Sequence, residues 1–578
     1  MGSSFGLVDF RGRPVDTGRH GGVRASMFIY IMVWLGNVVN VANNMNMVSY
    51  LRGTMNMGVA AAATTSTNFL AALQMFTIPA AFLADSYIKR FYTVLIFAPV
   101  EILGYILLAV QAHVPSLHPP ACSPSEPQSC EPVHGANLSL LLLGIYMICI
   151  GEGAIRACLP ALGGDQFDNA DPVERRLEAS FFNWYTFSVS MGAFFGLIFI
   201  VWLENNKGWD VGFAVCAGIV LLGLLIWAAG FPFYRNQLPA GSPITRIMQV
   251  IVVAWKKRNL KLPANPDDLN QMTGDDAEGL EVLHRTEGLE FLEKAAIIDN
   301  GARGSWSLCN VTQVEETKIV CRMIPIFLTS ALGYTPVSII LSFTVQQGNT
   351  MDTRLGAIRV SPATLFLIPT IFQLVILVVY DRLLVPLLRR ATGYVGGVTH
   401  LQRIGVGFVA TVLASAAAAL VETRRKGVAE GSGLVDSPAG VPMSVFWLTP
   451  QFFLLGVVDV TSFVGLLEFF YSEASAGMKS IGSSVFYCML GLSAWFSTLT
   501  IQLVNRVTRH GDGEAGWLDG ANLNRSRLDS FYWLVCVLEL VSLVVYLFLA
   551  RRYLYRNDQR VAAEDDKEIP SAGYVDGI

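Results

Sequence analysis

Two oppositely charged side chains, Glu152 and Arg156, lie inside a long apolar stretch of the chain. They are four residues apart, a spacing that places both on one face of a helix, where they can pair. A charge at the centre of a bilayer costs about 2.5–3.5 kcal/mol on insertion scales and is usually functional. The pair either makes the helix insertable, or leaves the permanently charged Arg156 facing a central cavity, where it holds an anionic solute group or a gate partner.

Two further acids, Asp459 and Glu468, lie together in another apolar stretch. Two acids in one membrane span are unfavourable unless they are paired or face water. We interpret Glu468 as a proton carrier or as the partner of Arg156 across two halves of the molecule. The alternative for both acids is a helix end close to the cytoplasm. Glu101 and Glu539 are similar, but each is more typical of a contact with a neighbouring helix.

Twelve apolar stretches separated by polar loops must position these charges. The length of each stretch suits a membrane-spanning helix, which needs about 20 residues. The composition agrees, because only 15% of the residues are charged, against about 25% in soluble domains. We predict an all-α membrane protein whose spans are roughly 26–50, 59–84, 93–112, 138–162, 180–203, 211–233, 319–346, 362–388, 402–421, 443–470, 480–504 and 530–550.

The predicted spans form two groups of six. An even number of spans places both termini on one side, where most short loops are rich in Lys and Arg, and the positive-inside rule makes that side cytoplasmic. The run Arg424–Lys426 falls on the other side and disagrees. The predicted parts are a cytoplasmic tail 1–25, an N-terminal bundle 26–234, a cytoplasmic linker 235–318, a C-terminal bundle 319–555 and a cytoplasmic tail 556–578.

The linker contains one predicted helix, about 243–257. Ser242 suits the N-cap position of this helix and Pro243 suits its first turn. Apolar residues alternate with basic ones, which predicts an amphipathic helix lying on the inner membrane face. The expected apolar face consists of Ile247, Val250, Ile251 and Ala254.

Several classes of function have no support in the sequence. The net charge is −4 and no basic tract suggests a nucleic-acid partner. No cysteine or histidine cluster has metal spacing, and no catalytic constellation is present, so neither a metal, a cofactor nor an enzymatic activity is predicted. Cys122 and Cys130 share a proline-rich loop, where a disulfide would form if the loop is extracytoplasmic.

Eight short strings occur in order between the second and the tenth predicted span, namely Leu83–Tyr87, Gly164–Asp168, Phe181–Tyr185, Phe291–Ala296, Val311–Glu316, Leu401–Gly405, Pro450–Leu454 and Glu468–Tyr471. They resemble the plant nitrate transporter/peptide transporter family, within the proton-dependent oligopeptide transporters. The resemblance implies a 12-helix major facilitator fold, with two six-helix bundles rocking around a central site, and a plasma-membrane location. The segments 110–122 and 201–206 look like the branch that includes abscisic-acid and other hormone carriers.

The chain departs from the family pattern in its first span. Family members usually carry an ExxE[R/K] motif there, tied to proton coupling, whereas this span contains no acid. Glu152 is an added acid beside the family's basic position, which Arg156 occupies. We therefore expect proton coupling to be weakened, or rerouted through Glu152 or Glu468. Asparagines, which can hydrogen-bond a solute but cannot carry a proton, occur in place of the acids and include Asn37, Asn40 and Asn44.

Three more positions follow from the resemblance. A family nitrate carrier uses a histidine in its seventh helix, and the aligned residue here is Val337, so nitrate transport by that mechanism is not expected. Thr93 resembles a phosphorylated threonine of the family, although an ordinary threonine at a helix start fits as well. Tyr185, in the third string, is a candidate for the solute site.

The function predicted is secondary transport of a small organic anion, such as a carboxylate hormone, across a lipid bilayer by alternating access. Arg156 would hold the carboxylate, assisted by the asparagines of the first span. Glu468 would gate the site or carry a proton, the one coupling ion expected. The first alternative is nitrate or a di- or tripeptide, whose amine Glu152 could bind. The second is a transport-inactive homologue acting as a sensor or scaffold, which the loss of the first-span acids favours.

Overall fold

Helices make up most of the described chain, which comprises residues 7–16, 18–120, 131–168, 171–239, 241–263, 265, 268–271, 282–298, 304–355, 358–359, 365–435, 440–509, 516–518 and 523–556. In this computed structural model, twelve helices of the described part are long and apolar enough to cross a membrane, as predicted. We number them α1 Gly22–Gly53, α2 Thr64–Ser86, α3 Arg90–His113, α4 Gly135–Gly164, α5 Pro172–Lys207, α6 Trp209–Phe233, α7 Val311–Gly348, α8 Leu367–Thr392, α9 His400–Gly431, α10 Val445–Glu473, α11 Ala476–Thr508 and α12 Leu528–Arg551.

Capping side chains fix where several of these helices begin. The Asn310 side chain accepts a hydrogen bond from the Gln313 amide, and the Gln313 side chain accepts one from the Asn310 amide, a capping box at the start of α7. Thr399 and Gln402 form the same motif at the start of α9. Gln313 and Gln402 belong to two of the family strings, so part of that resemblance reflects helix starts.

Short elements connect the spans. Strand β1 (Leu7–Val8) pairs antiparallel with β2 (Asn236–Gln237), which ties the N-terminal tail to the start of the linker. The other strands are β3 (Met351–Asp352), β4 (Arg354–Leu355), β5 (Ile358–Arg359) and β6 (Val441–Ser444), with β3 parallel to β6 and β4 antiparallel to β5. Short helical turns cover Pro115–Leu117, Phe231–Phe233, Glu290–Glu293 and Lys294–Ala296.

Glycines let the helices of the N-terminal half approach one another closely. A Cβ atom at Gly196 of α5 would overlap the backbone of Val38 in α1. A Cβ atom at Gly151 of α4 would likewise overlap Glu101 in α3. Small residues at such crossings allow close backbone contact in membranes. Polar side chains on α1, α3, α4 and α5 are thereby brought within reach of one another.

Two helices of the C-terminal half contain a single π-helical turn. The turns cover Tyr380–Leu384 in α8 and Asp459–Phe463 in α10. Such turns inside α-helices occur frequently at functional sites. Each places an acid at a break in regular helical spacing, namely Asp381 in α8 and Asp459 in α10.

The linker helix spans Pro243–Lys256, and its Ser242 cap accepts a hydrogen bond from the Thr245 amide at 3.1 Å. Its expected apolar face is wrong in part, because Val250 and Ala254 are buried against the protein. The partners that bury them are the segment around residues 292–296 and the start of α7, which the helix pattern alone does not reveal. The exposed apolar residues are Ile244, Met248, Ile251 and Trp255.

Candidate functional site

Arg156 of α4 lies at the boundary between the two halves. Its Nε donates to Glu152 Oε1 at 2.6 Å, so the predicted pair along one helix face forms. The guanidinium carbon lies 5.6 Å from the ring centroid of Tyr487, which belongs to α11 of the other half. The Tyr487 hydroxyl lies 3.5 Å from that of Tyr185 in α5. The positive group therefore faces two tyrosines at the bundle interface, and Tyr185 joins it there.

The local sequence of α4 explains how deeply this pair sits. Gly151 lies against Glu101 of α3, and Gly153 lies against Phe76 at the bend of α2. Because neither glycine holds the neighbouring helices apart, Glu152 between them is only 3% exposed. Arg156, one turn further along, keeps 14% of its side chain exposed.

Asn40 lies beside this pair but faces the interior of the N-terminal half. Its Nδ2 donates to Glu101 Oε1 at 3.4 Å, and its side chain also contacts the Glu152 carboxylate. Tyr105 donates its hydroxyl to Asn40 Oδ1 at 3.3 Å. Asn40 is fully buried among these groups. Helix packing therefore turns Asn40 toward α3 and α4, and its predicted role as a solute ligand stays a prediction.

The other two predicted asparagines do not reach the pair in the described structure. Asn37 Nδ2 donates to the carbonyl of Val33 in its own helix at 2.8 Å. Asn44 Oδ1 is buried without a hydrogen-bond partner among the described residues. Of the three asparagines, only Asn40 contributes to the charged cluster around Arg156.

Glu468 of α10 does not bridge to Arg156. Its Oε2 lies 3.3 Å from Arg403 Nη1 and 3.7 Å from His400 Nδ1, both of α9. The predicted bridge across the two halves is therefore wrong, because α9 supplies a cation within the same bundle. Asp459 accepts a hydrogen bond from the Tyr334 hydroxyl at 2.7 Å, also within that half.

Arg403 nevertheless connects the halves through a polar cluster around Asp381. Its Nη2 donates to Asn183 Oδ1 of α5 at 2.7 Å. Asp381 of α8 accepts hydrogen bonds from Ser180, Asn183 and Trp184 of α5, at 2.8, 2.9 and 3.1 Å. Glu468 thus pairs with a cation that joins α9 to α5.

A second polar cluster joins the halves around Asp165, at the end of α4. Arg90 of α3 pairs with Asp165 and with Asp85, and its Nε donates to Ser480 Oγ of α11 at 2.7 Å. Lys479 Nζ of α11 lies 3.6 Å from Asp165 Oδ1. Five ionic and polar groups thus bind the start of α11 to the N-terminal half.

Both clusters lie on one side of the molecule, which we call the terminal side. Twelve spans return the chain to its starting side, so α1 begins and α12 ends there. The Asp165 and Asp381 clusters involve the starts of α3, α5, α9 and α11 and the ends of α4, α8 and α10. Their contacts between the halves close the molecule on the terminal side.

A cavity of about 190 Å³ lies between the halves, toward the opposite side. It is lined by parts of α2, α7 and α11, including Gln74, Tyr334 and Trp495. Gln74 also accepts a weak hydrogen bond from the Cys488 thiol at 3.9 Å. The cavity therefore lies one turn of α11 or less beyond Tyr487, which is itself not part of its lining.

The remaining candidates lie away from this region. Thr93 is fully buried, and its hydroxyl donates to the Lys89 carbonyl at 3.4 Å, so a kinase cannot reach it in this conformation. Cys122 and Cys130 lie outside the described residues. Among the residues that are described, no group of three or more His, Cys, Asp or Glu side chains could hold a metal ion.

Two acids of the N-terminal half were undervalued from the sequence. Glu101 is fully buried against Gly151, beside the Glu152–Arg156 pair. Glu204 of α5, also buried, accepts a hydrogen bond from Asn46 Nδ2 at 2.7 Å. The available signal was the spacing of Asn40, Asn43 and Asn46, three residues apart in a span without acids.

The sequence model described as PTR2, the POT family, matches residues 91–518 of this chain. The chain belongs to the POT family. It is 37% identical to the Arabidopsis thaliana protein NRT1/PTR family 4.6 over 573 residues, which cover 96% of this chain and 97% of that protein. It is 36% identical to NRT1/PTR family 8.3 of the same plant, covering 95% of this chain and 94% of the relative. The predicted family is thereby confirmed, and these names specify no solute.

Solved structures of POT family members share the fold. An auto-inhibited POT family peptide transporter superposes with a TM-score of 0.57 at 17% identity, covering 93% of this chain and 99% of that chain. A POT family transporter in complex with 5-aminolevulinic acid gives a TM-score of 0.56 at 13% identity, covering 93% of this chain and 98% of its own. The predicted major facilitator fold is confirmed, and this POT family member is a multi-pass secondary transporter.

Proposed function

We propose that this POT family transporter carries a small organic anion, such as a carboxylate hormone, and that Arg156 binds the carboxylate. One observation carries the proposal. Arg156 commits only its Nε to Glu152, and its two terminal nitrogens make no hydrogen bond to any described residue. A guanidinium binds a carboxylate through parallel hydrogen bonds, so this open edge suits a carboxylate group.

The surroundings of Arg156 support the same solute class. Tyr185 and Tyr487 offer hydroxyls and apolar ring faces at the bundle interface, a combination that suits a solute with an apolar body. The cavity of about 190 Å³, lined on α11 by residues from Leu490 to Trp495, would provide an approach from the side opposite the termini. A solute that enters there would reach Arg156 before it reaches the closed terminal side.

Release on the terminal side would require the two polar clusters to separate. The contacts that must break include Arg403 with Asn183 and Arg90 with Ser480, each at 2.7 Å. The Glu468–Arg403 pair would remain within the C-terminal half during this movement. Alternating access then follows from the two bundles shifting about Arg156.

We also propose that proton coupling through this site is weakened or rerouted. Glu152 and Arg156 belong to one helix, so their pairing does not change when the bundles move. A proton that neutralised Glu152 would release Arg156 Nε, and Glu468 is engaged by Arg403 instead. Uptake at acidic and at neutral outside pH, with and without a protonophore, measures the coupling. A steep acid stimulation that survives Glu152→Gln would contradict rerouting through Glu152.

We also propose a plasma-membrane location with both termini cytoplasmic. Basic residues of the terminal side support this orientation, and the opposing run is largely neutralised. Arg425 pairs with Glu422 at 2.6 Å, and Lys426 pairs with Asp529 at 2.9 Å. A terminal tag that becomes accessible to antibody only after permeabilisation is the expected result, and labelling of intact cells contradicts it.

A di- or tripeptide is the second candidate, because Glu152 lies next to Arg156 and could receive an amine. A solute with an ammonium and a carboxylate would then replace the internal ion pair. Competition of a peptide with the organic anion for uptake would support this candidate.

An uptake screen in oocytes, read by mass spectrometry, tests the proposed function. The panel contains carboxylate hormones, nitrate and dipeptides. We expect uptake of at least one organic carboxylate, and we expect Arg156→Gln to reduce that uptake strongly at solute concentrations below the KM and unchanged surface expression. Uptake that is indifferent to Arg156→Gln would overturn the role of Arg156. No uptake of any solute at normal surface expression would instead favour a sensor or scaffold.

A further inference from the structure

Three buried asparagines follow one another along α1 at every third residue. Asn40, Asn43 and Asn46 are 1%, 2% and 6% exposed, and we call them the asparagine column. At 1.5 Å of rise per residue, the column is about 9 Å long. Amides in the interior of a membrane protein need hydrogen-bond partners on neighbouring helices. Each end of the column meets a carboxyl group.

At one end of the asparagine column lies Glu101, next to the proposed solute site. Asn40 joins it to Glu152, as described above. Glu101 is fully buried, and its Oε2 has no hydrogen-bond partner among the described residues. The titratable or charged groups that face Glu101 are Tyr105 of α3, Cys149, Glu152 and Arg156 of α4, and Cys216 of α6.

At the other end lies Glu204, near the end of α5. Asn46 Nδ2 donates to Glu204 Oε2 at 2.7 Å, while Glu204 Oε1 is buried without a partner in the described chain. The exposed polar residues 205–207 follow directly, so water lies close by. The titratable groups that face Glu204 are Tyr105 of α3 and Cys216 of α6.

Asn43 lies between the two ends and is only partly satisfied. Its Nδ2 donates to the Val39 carbonyl at 2.8 Å and to Cys216 Sγ at 3.4 Å. Its Oδ1 is buried and has no partner among the described residues. Buried polar atoms are normally paired, and water commonly serves where protein does not. The open acceptors of Glu101, Asn43 and Glu204 are therefore positions for water or for an acid proton.

The lack of a free counter-charge decides the protonation state of Glu101 and Glu204. No Lys or Arg of the described chain pairs with Glu204, and the single guanidinium near Glu101 is already paired with Glu152. An ionised carboxylate buried in a membrane without a counter-charge is strongly unfavourable. A protonated carboxyl group avoids that charge and supplies the hydrogen-bond donor that neighbouring acceptors lack.

We propose that the asparagine column orders water into a proton path between Glu204 and Glu101, which delivers protons to Glu152. A proton from outer water forms an O–H bond at Glu204, and the same acid gives up a proton to the next water along the column. Successive O–H bonds form and break until Glu101 receives the proton. Transfer onward to Glu152 removes the negative charge that holds Arg156. The delivery of protons to Glu152 for transport rests on the proposed function. The existence of the path between Glu204 and Glu101 does not.

Infrared spectroscopy of the purified chain in lipid nanodiscs tests the path without any solute. A protonated carboxyl group has its own C=O band, separate from that of a carboxylate, and the band shifts when deuterium replaces the proton. We expect Glu101→Gln and Glu204→Gln each to remove one component of this band at neutral pH. If either substitution leaves the band unchanged, that acid is ionised and the proposal is overturned.

Asn43→Leu then tests the connection between the two acids. After transfer into heavy water, the Glu101 component is expected to exchange about tenfold more slowly, a barrier increase of about 1.4 kcal/mol. The Glu204 component is expected to exchange as in the wild type, which also shows that the variant is folded. Asn43→Ser keeps a polar group and is expected to preserve exchange. Unchanged exchange at Glu101 in Asn43→Leu would overturn the path.

Glu539 of α12 provides a matched control. It is 1% exposed, and its Oε1 has no partner in the described chain. It lies in the other half, away from the asparagine column. Glu539→Gln is expected to remove a band component whose exchange rate does not respond to Asn43→Leu. A response of that component to Asn43→Leu would mean a general change of the protein and would contradict a local path.

Discussion

Each half of the molecule contains an arginine paired with a glutamate of its own helix, but the two arginines differ in burial and in what else they bind. In α9, Arg425 holds Glu422 through Nε and Nη2 at 2.8 and 2.6 Å. Its Nη1 donates to Thr350 and to Asn524, and the side chain is fully buried. In α4, Arg156 binds Glu152 through Nε alone and stays partly exposed.

The difference between the two pairs distinguishes an arginine that stabilises the fold from one that can bind a solute. Both are arginines one helical turn from a glutamate, so residue type and spacing are alike. A guanidinium has five N–H donors, and only the number that remain open tells the two apart. Arg425 has its donors occupied within the C-terminal half, whereas Arg156 presents its terminal nitrogens to the other half.

The largest expected effect on folding is that of Arg425→Gln. The substitution leaves Glu422 buried without its cation, which lowers the free energy of unfolding by about 3–5 kcal/mol. We expect a large fall in melting temperature and poor surface expression, measured by fluorescence-detected size exclusion after heating. Arg156→Gln is the matched variant; it also leaves Glu152 without its cation, but it removes a single hydrogen bond of a partly exposed side chain, so a smaller fall in melting temperature is expected. Equal destabilisation by both substitutions would remove the distinction.

Arg156→Gln is expected to have the largest effect on transport among folded variants. Loss of a charge-assisted contact of about 2 kcal/mol raises the KM for the carboxylate about 30-fold or more. Arg156→Lys keeps the charge but loses the planar fork, so a smaller rise is expected. Uptake kinetics at equal surface expression measure both. A KM unchanged in Arg156→Gln would place the solute elsewhere.

Glu468→Gln tests the contact between the halves on the terminal side. Without Glu468, Arg403 loses the carboxylate that orients it toward Asn183. The equilibrium constant for opening of the terminal side is then expected to rise roughly fivefold. Cys158, which is buried near Asp85 and Arg90, reports this opening. Its labelling by a thiol reagent, read by mass spectrometry, should accelerate accordingly.

Asp459→Asn is the control for that experiment, because Asp459 binds Tyr334 within one half. We expect its Cys158 labelling to match that of the wild type. Labelling of Cys158 that is equally slow in Glu468→Gln and in the wild type would contradict the gating role of Glu468.

The smallest effect is expected at Glu293 in the linker, a third acid held by cations. Burial alone would raise the pKa of Glu293, but hydrogen bonds from Arg285 and Lys318 lower that pKa below its ordinary value of 4.5. The stabilisation is present above the ordinary value and is lost as the pH falls through the lowered one. Arg285 is partly exposed, so the effect is about 1 kcal/mol or less.

Hydrogen exchange of the segment 290–296, corrected for the intrinsic effect of pH, measures this loss. Exchange is expected to speed up in acid in the wild type but to be fast at both pH values in Glu293→Gln. Protection that persists in acid would show that the pair does not hold the segment.

The sequence alone predicted the elements better than the contacts between them. Hydropathy located all twelve spans of the described chain because each must satisfy its own backbone in lipid. Spacing predicted the Glu152–Arg156 pair because both residues lie on one helix. The exception Arg424–Lys426 also becomes clear, since Arg425 and Lys426 are neutralised by Glu422 and Asp529.

Contacts between helices depend on rotations that spacing does not give. Of the two roles predicted for Glu468, the bridge to Arg156 does not form, because Arg403 of α9 is its partner. Asn40 was placed on the solute path, although α1 turns it toward Glu101. Glu204 was overlooked because its partner Asn46 lies 158 residues away in the chain. The Asn40 and Glu204 contacts lie where helices pack closely at Gly151 and Gly196.

Binding of the transported carboxylate to purified protein tests the central claim most directly. In a thermal-shift titration, the account predicts that the carboxylate raises the melting temperature of the wild type in a saturable way. The same solute is expected to shift Arg156→Gln, measured from that variant's own melting temperature without solute, only at concentrations about 30-fold higher or more. A saturable shift of equal size and midpoint in Arg156→Gln would contradict the assignment of Arg156 as the group that binds the carboxylate.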